Sequence, residues 1–187
     1  SSNAWLNIVI MLLIIIGGVG FLTWEDFYIN KFKFKRYHMQ SKVVLITTAI
    51  LIFAPAVFFF ACDFGNLTVG KRLLASVFQS VTTRTAGFNT EDLSLMTEAG
   101  KAVMILLMLI GGSPSSTAGG MKTTTFAVLI LNAFATFRSR EDVGAFGRRF
   151  DGQVIKSAAT IAMMYFMLFF FGGITISVYE GLPLLTC

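Results

Sequence analysis

The chain has 187 residues, of which 55% are hydrophobic and only 13% charged, and its mean hydropathy is +0.74. Soluble domains carry about 25% charge, so this composition excludes a soluble globular domain and specifies an integral membrane protein in contact with lipid. The net charge of +5 gathers between apolar spans, where positive residues set orientation, and is not the footprint of a nucleic-acid binder.

The first predicted span runs from about Trp5 to Phe27. Ile8 to Ile16 is an unbroken apolar run, and it begins without the charged leader of a secretory signal. Gly17-Gly18-Val19-Gly20 follows, small residues that allow close packing, and Glu25 and Asp26 mark the exit. Lys31, Lys33, Lys35 and Arg36 then crowd into six residues, with Lys42 soon after. The positive-inside rule makes this loop cytoplasmic, and the same charges suit a docking surface for a cytosolic partner. His38 reads as a solvated member of that loop.

The second span is Val43 to Ala61. Pro55 lies inside it and predicts a kink. Cys62-Asp63-Phe64-Gly65-Asn66 is an outer turn. Val69 to Thr83 is amphipathic but short: about 15 helical residues reach ~22 Å, against ~30 Å of hydrocarbon. The chain must enter partway and turn back through Arg84-Thr85-Ala86-Gly87-Phe88-Asn89-Thr90. Irregular backbone at that depth survives only when buried in protein or lining a watery path. Rings of main-chain carbonyls replace the hydration shell of potassium in channel filters. Gly87 suits such a turn because glycine alone takes left-handed backbone angles without steric cost. The same residues would also serve as a polar loop on the outer surface. Thr90-Glu91-Asp92-Leu93-Ser94 is acidic and outside.

From Ala99 to Phe137 the hydrophobic pattern runs on with a single internal break. An unbroken helix of about 39 residues would be ~58 Å long, nearly twice the hydrocarbon thickness. The break is Gly111-Gly112-Ser113-Pro114-Ser115-Ser116-Thr117-Ala118-Gly119-Gly120, with four Gly, one Pro and four hydroxyl residues. About eleven helical residues precede it and reach ~16 Å, near the midplane. Unwound polar backbone there marks a permeation or substrate path. Met121-Lys122-Thr123-Thr124-Thr125 invites a nucleotide-binding reading, but a phosphate loop needs Gly where Met121 and Ser116 stand. Lys122 is the charge placed to interact with the break, or else to cap the helix that continues from it.

Arg138 to Arg149 forms a second basic, cytoplasmic loop. The last span runs from Gln153 to about Val178, with Phe166, Phe169, Phe170 and Phe171 facing lipid or neighbouring helices, and Glu180-Gly181-Leu182-Pro183 is an outer turn. Both basic loops fall on one side of this layout, and the re-entrant turn enters from the other. Cys62 and Cys187 sit in no metal-ligand spacing and build no disulfide framework. Apart from Glu25 and Asp26 at the exit of the first span, no span holds paired carboxylates, and there is no Ser/His/Asp set, so the sequence does not point to an enzyme. A chain opening at the head of a membrane helix and closing on Leu184-Leu185-Thr186-Cys187 reads as a piece of something longer.

Two stretches carry a family resemblance. Phe78 to Thr90 resembles a filter segment of the Trk/Ktr/HKT superfamily of potassium transporters, closest to the membrane subunit of the bacterial Ktr system. Gly111 to Thr125 resembles that family's intramembrane gating loop. The resemblance implies an all-α fold of helix–pore-helix–helix repeats, with a re-entrant filter loop and one broken transmembrane helix. Residues 1–30 would be the last helix of the preceding repeat and 31–42 a cytoplasmic loop. Residues 43–138 would be a complete third repeat: helix 43–61, pore helix 69–83, filter 84–90 and broken helix 99–137. Residues 139–152 would be a second cytoplasmic loop, and 153–187 the first helix of the fourth repeat. It further implies potassium ions held by the carbonyls of Thr85, Ala86, Gly87, Phe88 and Asn89, and no organic cofactor. Gly111 to Gly120, with Lys122, would be the gate. The missing pore repeats of a parent chain, a homodimer partner and a cytosolic nucleotide-binding regulator are the implied partners, and the bacterial cell membrane the location. The alternative from a different class is a carrier whose broken helix holds a small anionic solute. A scaffold without transport leaves both polar segments unexplained.

Overall fold

The computed structural model describes residues 4–31, 33–65, 67–84, 86–88, 96–140 and 142–181. The chain divides into two compact units, one ending at Ala127 and one starting at Val128. The first holds α1 (Ala4–Val19), α2 (Phe21–Asn30), α3 (Met39–Cys62), α4 (Val69–Thr82), α5 (Glu98–Leu109) and the start of α6 (Thr123–Phe137). The expected single span from Trp5 to Phe27 is in fact two helices bent by 91°. The bend is at Gly20, whose φ of +86° is open to glycine. Phe21 N–H does not continue the helical ladder; it donates to the Ser115 carbonyl at 3.1 Å.

Helix α3 continues through Pro55. Proline has no N–H for the carbonyl four residues back and crowds that turn, which leaves Leu51 O without its helical donor. Ser80 Oγ on α4 reaches over and donates to Leu51 O at 3.2 Å and to Ile52 O at 2.7 Å. A hydroxyl from a neighbouring helix is the usual remedy for a freed carbonyl in a membrane. Ser80 is fully buried, so Ser80→Ala strands Leu51 O at a cost of about 1–3 kcal/mol. The expected result is a lower thermal midpoint of the detergent-solubilised full-length protein. An unchanged midpoint would show that α3 and α4 are held without this bond.

Helix α4 buries its second half. Phe78 and Val81 pack with Met11 of α1 and Ile52 of α3, and Ile10, Ile14, Ile15, Leu74 and Val77 close the cluster. At its other end Arg72 Nε donates to Phe60 O at 2.6 Å and Nη2 to Ala61 O at 3.3 Å. These are terminal carbonyls of α3, where a cation also meets the negative end of the helix dipole. Asp63 ties α3 to α5: its Oδ1 accepts from Thr97 N at 2.8 Å and Thr97 Oγ1 at 2.6 Å. Thr97 in turn caps α5 through Gly100 N. A Cβ on Gly100 would lie 2.5 Å from the Asp63 carboxylate, so glycine is what lets the two helix ends meet.

Asp26 does not face water as an exit residue. It is buried and accepts from His38 N at 3.0 Å and Ser41 Oγ at 2.5 Å, with His38 Nδ1 at 2.6 Å. The His38 ring is solvent-exposed as expected, yet one of its edges is bound to this carboxylate.

The second unit holds the rest of α6, a two-residue hairpin and α7 (Gly152–Glu180). The hairpin pairs Gly144–Ala145 with Arg148–Arg149 across a turn whose central residues, Phe146 and Gly147, both have positive φ. That is the turn matching the twist of a hairpin. Asp151 caps α7 at Gln153 N, and Gly181 ends it in a left-handed conformation. Phe166 and Phe170 stack on the exposed surface of α7. By length and composition α3 and α7 can cross a membrane, and the bent pair α1–α2 supplies a third span if counted as one.

Candidate functional site

The end of α4 is folded back on itself. Ala86 N and Gly87 N both donate to Thr82 O, at 3.1 and 3.2 Å. Thr82 Oγ1 donates to Phe88 O at 2.7 Å. Gly87 takes φ +73°, with open space where a Cβ would stand. The turn is therefore held at both ends by Thr82, a residue the sequence reading left unassigned. This bond uses one lone pair of Phe88 O and leaves the other. The C-terminal end of a helix carries partial negative charge, which favours a cation beyond it. Arg84, buried beside the turn, adds a positive charge there. Thr85 and Asn89 lie outside the described residues, as does the acidic run from Thr90 to Ser94.

The break between α5 and α6 is a closed loop. Gly111 N donates to Met121 O at 2.9 Å, Met121 N to Leu109 O at 3.2 Å and Thr123 N to Gly112 O at 3.1 Å. The buried hydroxyls of Thr123 and Ser113 meet at 3.1 Å. These bonds form a neck from which Pro114 to Gly119 project, and Ser115, Thr117 and Gly119 are exposed. A Cβ on Gly111 would fall 1.7 Å from Gly119 O, and one on Gly112 2.5 Å from Ala118 Cβ. Glycine here permits close approach. Gly120 adds a left-handed turn at φ +71°, and Ser115 one at +58°. Lys122 Nζ donates to Ala118 O at 2.8 Å, so its charge lies against the loop.

The loop also rests on the bend between α1 and α2. Ser113 N donates to Gly18 O at 2.9 Å, and Thr117 Oγ1 approaches Gly17 O at 3.5 Å. Arg84, Val81, Gly112, Gly18, Ile14 and Ile15 line one small cavity. The base of the turn and the neck of the loop thus border the same space. The contact of the loop with Gly17–Phe21 went unnoticed in the sequence; its signal is the cluster of three glycines, there assigned only to close packing.

Residues 1–185 match the TrkH family, described as cation transport proteins. The chain belongs to this family. It is 35% identical over 188 residues to the potassium/sodium uptake protein NtpJ of Enterococcus hirae, covering 98% of this chain and 42% of that protein. It is 33% identical over 185 residues to the Ktr system potassium uptake protein B of Bacillus subtilis, covering 96% and 41%. The chain therefore spans about two-fifths of the length of these relatives. The crystal structure of the potassium transporter TrkH from Vibrio parahaemolyticus shares its fold with a TM-score of 0.77, at 15% identity, over 95% of this chain and 40% of that one. TrkH-family members are transport proteins of the cell membrane rather than enzymes, in keeping with the apolar helices here.

Proposed function

We propose that this chain contributes one filter strand and the gate of a potassium-uptake pore. The turn at Ala86–Phe88 supplies carbonyls to the ion, together with Thr85 and Asn89. The loop from Gly111 to Gly120, steadied by Lys122, blocks the path inward of it. The observation supporting this reading is that Arg84, at the base of the turn, and Gly112, at the neck of the loop, line the same small cavity. Residues 43–138 are the third repeat; the other repeats of a longer chain complete the ring of carbonyls. The whole transporter is a homodimer in the cell membrane, with both basic loops in the cytoplasm and a cytosolic nucleotide-binding subunit as regulator. Potassium is cargo, and no organic cofactor is needed. The anion-carrier alternative gives the turn at Ala86–Phe88 no role.

The test is rubidium uptake into proteoliposomes holding the full-length protein. Uptake should be competed by external potassium and indifferent to the accompanying anion. Uptake that instead follows the anion, with no competition by potassium, would replace the pore by a carrier.

A further inference from the structure

A helix that breaks leaves its last carbonyls and the next helix's first N–H groups without partners. At the α1–α2 break one segment serves both ends. Ser113 N donates to Gly18 O, the end of α1, and Phe21 N, the start of α2, donates to Ser115 O. Thr117 Oγ1 approaches Gly17 O, and Trp24 Nε1 takes Ile16 O at 3.0 Å. The approach is close enough that a Cβ on Gly20 would lie 2.3 Å from Pro114 O. In a straight helix Phe21 N would bond Gly17 O, and residue 22 would bond Gly18 O. The bent form and the seated loop therefore use the same backbone groups that a straight form would use for itself. The bent arrangement observed and a straight one would exclude each other, as the two states of a switch must.

We propose that the bend at Gly17–Phe21 is the seat of the gate: the loop is held in the blocking position by the broken ends of α1 and α2, and it leaves when that bend opens. Gly17, Gly18, Gly20 and Phe21 are positioning residues for conduction, although none of them touches the ion path's filter turn. Movement of α2 reaches the gate through this seat. The inference rests on the gate reading above and adds to it where the loop is held and by what.

The geometry offers a direct test. The Cβ position of Gly17 is 3.2 Å from Thr117 Oγ1, the atom that a cysteine sulfur at position 117 would replace, which puts the two side chains within reach of a disulfide. Gly17→Cys with Thr117→Cys is made in the full-length transporter, in a background with its other cysteines removed. Rubidium flux is measured in proteoliposomes before oxidation, after it, and after reduction. The expected result is a crosslink that lowers flux about tenfold or more and is reversed by reductant, because a covalent bond holds one state regardless of its free energy. The companion variant Gly20→Ala, which pushes on Pro114 O, should raise flux in the absence of the regulator. Failure of the cysteines to crosslink, or a complete crosslink without effect on flux, overturns the seat. Should loop deletion raise flux while the crosslink does nothing, the gate stands and the seat alone falls.

Discussion

In the full-length transporter, Gly87→Ser removes most of the preference for potassium over sodium. Gly87 holds φ +73°, and nothing lies within 4 Å of where its Cβ would be. The penalty is therefore conformational rather than a clash, about 1–2 kcal/mol for a residue with a Cβ in left-handed backbone. The turn cannot shed this strain at its ends. Thr82 O fixes the N–H groups of Ala86 and Gly87, and Thr82 Oγ1 fixes Phe88 O. The peptide planes between must rotate instead, and those planes carry the carbonyls assigned to the ion. Since ~1.4 kcal/mol is a factor of ten, strain of this size narrows discrimination about tenfold. The assay is growth of a potassium-uptake-deficient bacterium on low potassium with sodium as competitor, with membrane expression checked in parallel. Equal discrimination by mutant and parent would sink the filter assignment.

Deletion of Ser113 to Gly119 raises potassium flux and loosens its dependence on the cytosolic regulator. The cut is mild at the neck, although it also removes the bonds of Ser113 and Ser115 to the α1–α2 break and of Ser113 to Thr123 Oγ1. It leaves Gly112 joined to Gly120, between Gly111 and Met121 whose backbones already bond at 2.9 Å, and two adjacent glycines adopt almost any turn. The Gly111 and Gly112 contacts with Gly119 and Ala118 disappear together with their partners. The loop's glycines pack closely at its neck instead of slackening it, and the deletion removes the loop whole. Flux of rubidium into proteoliposomes should rise about tenfold, the scale on which a two-state gate responds to ~1.4 kcal/mol. Selectivity should hold, because the bonds of Ala86, Gly87 and Phe88 run to Thr82 and not to the loop. A folded, dimeric deletion protein with unchanged or reduced flux would leave the loop as a structural break only.

Much of this architecture is legible along the chain because its causes are local. Hydropathy and length place α3 and α7, and helix rise shows that α4 is too short to cross. The clustered glycines and hydroxyls at 111–120 announce a break, and Gly87 announces a left-handed turn. The departures come where a backbone or side-chain group finds a partner far away in sequence. The glycines at 17, 18 and 20 permit a break but do not set its 91° angle, since the groups that stabilise the bend belong to a loop roughly a hundred residues on, Thr117 being 100 residues from Gly17. Pro55 shows that a carbonyl will be freed, but only the packing of α4 on α3 decides that Ser80 satisfies it. His38 reads as solvated because its ring is, while Asp26, twelve residues earlier, draws one edge of it inward. A buried polar group must be paired; local sequence reveals that requirement, and only the tertiary structure decides which distant residue meets it.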